Sequence, residues 1–176
     1  MWHFTRGAAH SSLGHADEAR RERDLLQAAT TNVPPDRTMG NNLAADLLAI
    51  AALMLDGEML AKQDNFDQAL PKLRDAVARE DKLVYDEPPD WIQPARHTLG
   101  AVLLRAGRAT EAEAVYRDDL NIYPENGWSL MGLRDALAAQ GKTADAAAVD
   151  KRFKKQWAQA DINPPSTCYC QTLARK

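Results

Sequence analysis

The sequence predicts an all-α protein, an α-α superhelix of about four helix-turn-helix repeats closed by a C-terminal capping helix. Three observations predict it. Gly7, Gly57, Gly100 and Arg134 are each followed seven positions on by a small or turn-forming residue, Gly14, Asp64, Gly107 and Gly141. Twelve positions on stands an alanine every time, Ala19, Ala69, Ala112 and Ala146, and a frame held through four segments marks stacked supersecondary units. The composition is rich in Ala, Leu, Asp, Glu, Arg and Gln, mostly good helix formers. Finally, acidic residues open every second helix (Asp17 and Glu18, Asp67, Glu111, Asp145), where they complement the positive end of the helix dipole.

The first repeat, near 1–29, is the most degenerate, with polar His10 and Arg23 where the frame wants apolar residues. A connector of Thr30, Thr31, Asn32, Pro34, Pro35, Gly40, Asn41 and Asn42 breaks helix after it. The second repeat, near 44–82, runs through Gly57, Leu60, Asp64, Ala69, Leu73 and Ala76. It carries Pro71 inside its second helix, where a backbone bond must be lost. The insert from Leu83 to Trp91 holds Pro88 and Pro89 and stays out of helix, and Pro94 suits the first turn of the next one. The third repeat, near 93–126, is the clearest. Gly100 permits close helix approach, Gly107 ends the first helix in a left-handed cap, Ala112 sits at the crossing, and Pro124 closes the second helix. The fourth, near 127–160, lies 34 residues further on. Together these make one domain over 1–161, followed by a loosely held tail over 162–176 with Pro164 and Pro165 at its start.

Leu99-Gly100-x-x-Leu103, Gly107, Ala112-x-x-x-Tyr116 and Pro124 resemble the tetratricopeptide pattern. The stretch Tyr85-Asp86-Glu87-Pro88-Pro89-Asp90-Trp91, with Arg96, Tyr116-Arg117, Asn126-Gly127 and Leu130, is similar to the C-terminal part of bacterial tetratricopeptide-repeat proteins with a Y-D-E-P-P-x-W insert. The resemblance implies a right-handed solenoid that binds a peptide or partner protein along its concave groove. Placed on this frame, the partner-binding positions are Met54, Glu58 and Lys62, then His97 and Arg105, then Trp128, Met131 and Asp135. The competing reading is that the methionines pack between neighbouring repeats.

Net charge is −3, so no global basic field exists for nucleic acid. Arg20, Arg21 and Arg23 alternate with Glu22 and Asp24 and read as a solvated helix face. The longest apolar run, Leu47 to Leu55, is closed by Asp56 and falls short of the about 18 residues a membrane helix needs. The N-terminus has no secretory pattern, which makes a cytoplasmic address the expectation. Because the repeat frame starts within the first few residues, the chain also reads as the C-terminal piece of a longer repeat protein whose function lies upstream.

Other chemistry is sparse. His3 and His10 share a helical face but lack further ligands at zinc-site spacing. Cys168-Tyr169-Cys170 has soft-metal or redox character and supports an alternative reading as a metal-handling or redox accessory protein. A lone C-x-C lacks the second pair a tetrahedral site requires. In the insert, Tyr85 and Trp91 are expected to staple the loop while Asp86, Glu87 and Asp90 face water. The functional alternative has the loop contact a basic partner. No nucleophile elbow, phosphate loop, dinucleotide glycine pattern or H-E-x-x-H is present. The reading is therefore a non-enzymatic protein-binding scaffold without a cofactor.

Overall fold

The computed structural model describes residues 1–162 and 164–168. The chain is helical, with eight helices among those residues, and forms two compact units, Met1–Ala95 and Arg96–Lys176.

The first unit contains α1 (Trp2–Leu13), α2 (Ala16–Thr31), α3 (Ala44–Lys62) and α4 (Phe66–Glu80). Helix α3 is its centre, packing on α1, α2 and α4. That position explains its sequence: it is the most apolar helix and buries Leu47, Ile50, Ala51, Met54, Leu55 and Ala61. Burial of each large apolar side chain contributes about 1.5–3 kcal/mol. Glycine permits the closest approaches. A Cβ on Gly7 would lie 2.8 Å from a Leu55 methyl, and one on Gly57 2.6 Å from Leu73. Pro71 lies inside α4 without ending it. The residue is exposed, so solvent can reach the carbonyl that its missing N–H leaves unbonded.

One element departs from the expectation of an all-helical chain without sheet. The connector holds a short antiparallel hairpin, β1 (Thr38–Met39) and β2 (Asn42–Leu43). Gly40 makes its turn at φ +57°, a conformation costly for most other residues.

The second unit contains α5 (Ala95–Arg105, from Arg96), α6 (Ala109–Ile122), α7 (Gly127–Ala139) and α8 (Thr143–Gln156). Helix α7 packs on α6 and α8, and the Asn126 side chain caps it, accepting from the backbone N–H of Trp128 and Ser129. Tyr116 of α6 is fully buried, and a Cβ on either Gly100 of α5 or Gly132 of α7 would overlap its ring. Two glycines on two helices thus make room for one aromatic side chain. Where the other segments have glycine, the fourth has Arg134, which reaches Asp150 at 3.3 Å and lies over the Phe153 ring.

The frame read from the sequence has a backbone counterpart in every pair. Gly14, Asp64, Gly107 and Gly141 all adopt positive φ, 81°, 56°, 73° and 74°. Ala19, Ala69, Ala112 and Ala146 are all buried. Helix α8, the second member of the fourth pair and the last helix among the described residues, occupies the stretch where the capping helix was expected, about Ala144 to Ala160. Of the segment expected to be loosely held, Pro164, Thr167 and Cys168 are buried. The Tyr116 hydroxyl and Thr167 Oγ1 lie 2.6 Å apart, which gives a buried phenol its hydrogen-bond partner.

Candidate functional site

The residues assigned to partner binding separate into two groups. Met54, Glu58, His97 and Met131 are buried. Lys62 and Arg105 are exposed, and Trp128 and Asp135 are half-buried. The two methionines and His97 lie in the interior, the methionines as the competing packing reading expects. The frame locates a position along a helix, whereas accessibility depends on what the neighbouring elements cover. Lys62 donates from Nζ to the Ser12 carbonyl at 3.1 Å. Asp135 pairs with Arg134 at 2.7 Å. The Trp128 ring meets Trp157 edge-on at 5.5 Å.

Glu58 is 5% exposed, and neither carboxylate oxygen has a hydrogen-bond partner. Burial raises its pKa to about 8 from the ordinary 4.5, because the charged form loses its hydration without compensation. The neutral acid is therefore the form present at pH 7.

His97, Asp119 and Ser129 form a buried polar cluster across α5, α6 and α7. His97 Nε2 lies 3.1 Å from Asp119 Oδ2, and Ser129 Oγ donates to that same oxygen at 2.5 Å. These are the residue types of a hydrolase triad, but the wiring differs. The serine bonds the carboxylate rather than the imidazole, so the serine–imidazole contact of a triad is not made. All three residues are buried, which denies a substrate access. Asp119 Oδ1 has no partner. Sequence reading placed His97 among the partner-binding positions and drew no link from it to Asp119 or Ser129; these lie 22 and 10 residues from their bonding partners, and no motif links such separations.

The insert is held differently from the sequence expectation. Trp91 is buried and meets Phe4 of α1 at 5.5 Å between ring centroids, as a staple should. Tyr85, by contrast, is exposed, and its hydroxyl donates to Glu87 at 2.8 Å. Two of the acids expected to face water do the fastening. Asp86 accepts from the Asn41 backbone N–H at 3.1 Å, and Asp90 from Asn42 Nδ2 at 2.8 Å. Asn42 also bonds both the N–H and the carbonyl of Val84, at 2.7 and 2.9 Å, while Asn41 Nδ2 donates to the Tyr85 carbonyl at 2.9 Å. A Cβ on Gly40 would overlap the Asp86 and Asp90 carboxylates. The hairpin turn and the insert are therefore one hydrogen-bonded latch. Its register cannot be read from either segment alone.

The histidines near the N-terminus make polar and ring contacts. His3 and Arg6 pair with Glu22 at 2.7 and 2.9 Å, and the His3 hydrogen bond, then the Arg6 charge, hold the Glu22 carboxyl below its usual pKa. Glu22 is buried, a correction to the solvated face expected of Arg20–Asp24, because α1 covers that side of α2. His10 and His15 face each other with their Nδ1 atoms 3.4 Å apart. Among the described residues, no three His, Cys, Asp or Glu side chains gather closely enough to hold a metal ion. Cys168 is buried with Ala101 and is disulfide-bonded; Cys170 and the rest of the C-x-C reading lie outside the described residues. No helix among the described residues is long and apolar enough to cross a membrane.

Compared with known proteins, the chain matches no family model, no curated protein and no solved structure.

Proposed function

We propose that this chain is a protein-interaction module of the tetratricopeptide kind, a scaffold that binds a peptide or protein partner on the surfaces its repeated helix pairs present, without catalysis of its own. The observation that carries the reading is the repetition itself. Four helix pairs share a left-handed turn residue and a buried crossing alanine at the same offsets. Units of this kind build extended surface rather than an enclosed reaction pocket. The arrangement of His97, Asp119 and Ser129 supports the non-catalytic part, since the serine is buried and does not make the imidazole contact of a triad.

Of the first-helix residues, Lys62, Arg105, Trp128 and Asp135 keep accessible surface. Trp128 and Arg105, both in the second unit, belong to the types that dominate binding energy at interfaces. The test is quantitative affinity capture with the wild-type chain, a Trp128→Ala/Arg105→Ala variant and an Arg20→Ala/Arg21→Ala control on the exposed side of α2. A partner retained by the control and lost from the first variant, with helicity unchanged, is the expected result. A partner lost from the control and kept by the Trp128/Arg105 variant would place binding on the second helices and overturn the choice of surface.

A further inference from the structure

We infer that the latch joining the 38–43 hairpin to the 84–92 insert is a docking surface for a partner segment that carries lysine or arginine around an apolar anchor. This rests on the interaction-module reading and adds a surface and a partner chemistry to it. Three observations support it.

The first is exposure. Met39 (44%), Leu43 (43%), Val84 (61%), Tyr85 (77%) and Ile92 (87%) are all accessible. Scattered single apolar side chains are ordinary on a protein surface, but a concentration of them marks a contact site. These five belong to two short segments that the Asn41 and Asn42 hydrogen bonds tie into one unit.

The second is rigidity. The hairpin and the insert are 42 to 48 residues apart in sequence and joined by five hydrogen bonds from two asparagines, to Val84, Tyr85, Asp86 and Asp90. Trp91 is buried against Phe4 next to Ile92, the most exposed of the five. A loop so anchored is ordered before a partner arrives, so little conformational entropy is lost on binding.

The third is charge, and it selects the partner. Stretches 36–46 and 80–92 hold seven acidic and two basic side chains, a net of −5 in a chain whose total is −3. The rest of the chain is therefore net positive, and the negative excess lies in the same two stretches as the exposed apolar residues. Complementary charge speeds encounter and rejects acidic partners. Glu87 is exposed and accepts from Tyr85 OH, which places a carboxylate beside the aromatic ring where a flanking cation is recognised.

The test uses short labelled peptides of equal length and fluorescence anisotropy on the whole chain. One peptide places lysines around a central tryptophan and leucine, a second replaces lysine by glutamate, and a third replaces the two apolar residues by alanine. The wild-type chain should bind the first and discriminate against the other two by about tenfold or more. Its affinity should fall as salt shortens the range of the charge interaction. Tyr85→Ala/Ile92→Ala, at two exposed positions whose loss leaves the fold intact by circular dichroism, should weaken the lysine peptide by about tenfold or more. Glu87→Gln should weaken it less and reduce its salt dependence. Unchanged affinity in the Tyr85/Ile92 variant, equal affinity for the glutamate peptide, or no binding of the lysine peptide overturns the inference. Sedimentation showing a dimer that this variant abolishes also overturns it, since a second copy then covers the patch. The two proposals fail separately. A partner lost from Trp128→Ala/Arg105→Ala but kept by Tyr85→Ala/Ile92→Ala leaves the module reading standing without the latch, and the reverse leaves the latch without the helix surface.

Discussion

Replacing Glu58 by glutamine should make the protein more stable, and increasingly so as the pH rises. The carboxyl is buried, both oxygens lack partners, and its pKa is raised to about 8 from 4.5. A raised carboxyl pKa means that the folded chain binds more protons than the unfolded one between those two values. Stability from this group is therefore fully present below about 4.5 and is lost as the pH climbs toward 8. Each pH unit within that window costs about 1.36 kcal/mol, which comes to about 2.5 kcal/mol between pH 5 and pH 7 once the curvature near 4.5 is included. Glutamine has nearly the same shape and does not ionise, so the variant should lack this slope. The assay is urea unfolding of both proteins at intervals from pH 5 to pH 8, with the difference in unfolding free energy plotted against pH. Glu22, Glu113, Glu125 and Asp150 do not confound that range, because hydrogen bonds and neighbouring positive charges hold them below their ordinary values. Their contributions are present above the unfolded pKa and are lost only as the pH falls below it. Parallel curves for wild type and Glu58→Gln from pH 5 to pH 8 would refute the reasoning and mean that the carboxylate is solvated or paired in solution.

Three further outcomes are expected. Gly132→Ala places a Cβ against the Tyr116 ring and should cost about 1–3 kcal/mol through overpacking; thermal unfolding indistinguishable from wild type would show that the ring can move aside. Tyr116→Phe removes the hydrogen bond to Thr167 and should cost about 1 kcal/mol, with faster amide exchange around Thr167 as the accompanying sign; unchanged exchange there would mean that the segment is held by other contacts. Asn42→Ala removes three hydrogen bonds from the latch at about 1–3 kcal/mol in total, and should speed both exchange of the Val84 amide and proteolysis between Val84 and Trp91. Unaltered protection of Val84 would place the fastening elsewhere.

Helix number, order and turn points were legible in the sequence because they depend on local chemistry. A left-handed residue must end each first helix, and glycine or a short polar residue such as Asp64 is what tolerates that conformation. A small residue was expected at the same offset in each pair, and Ala19, Ala69, Ala112 and Ala146 are all buried. Accessibility is not local, and there the reading from sequence was weakest. Met54, His97 and Met131 stand where the frame put them along their helices, yet neighbouring elements bury them. Glu22 looked solvated among arginines until α1 brought His3 and Arg6 to it. The pairings that define the latch and the buried cluster join residues from 10 to 48 positions apart. Such contacts leave no periodic trace, because each depends on one side chain meeting another only after the helices have packed. The sequence by itself thus determined the helical class, the succession of helix pairs and the turn within each pair. Tertiary packing alone decided which of its polar residues became buried partners, which carboxyl lost its charge, and which apolar side chains were left facing water.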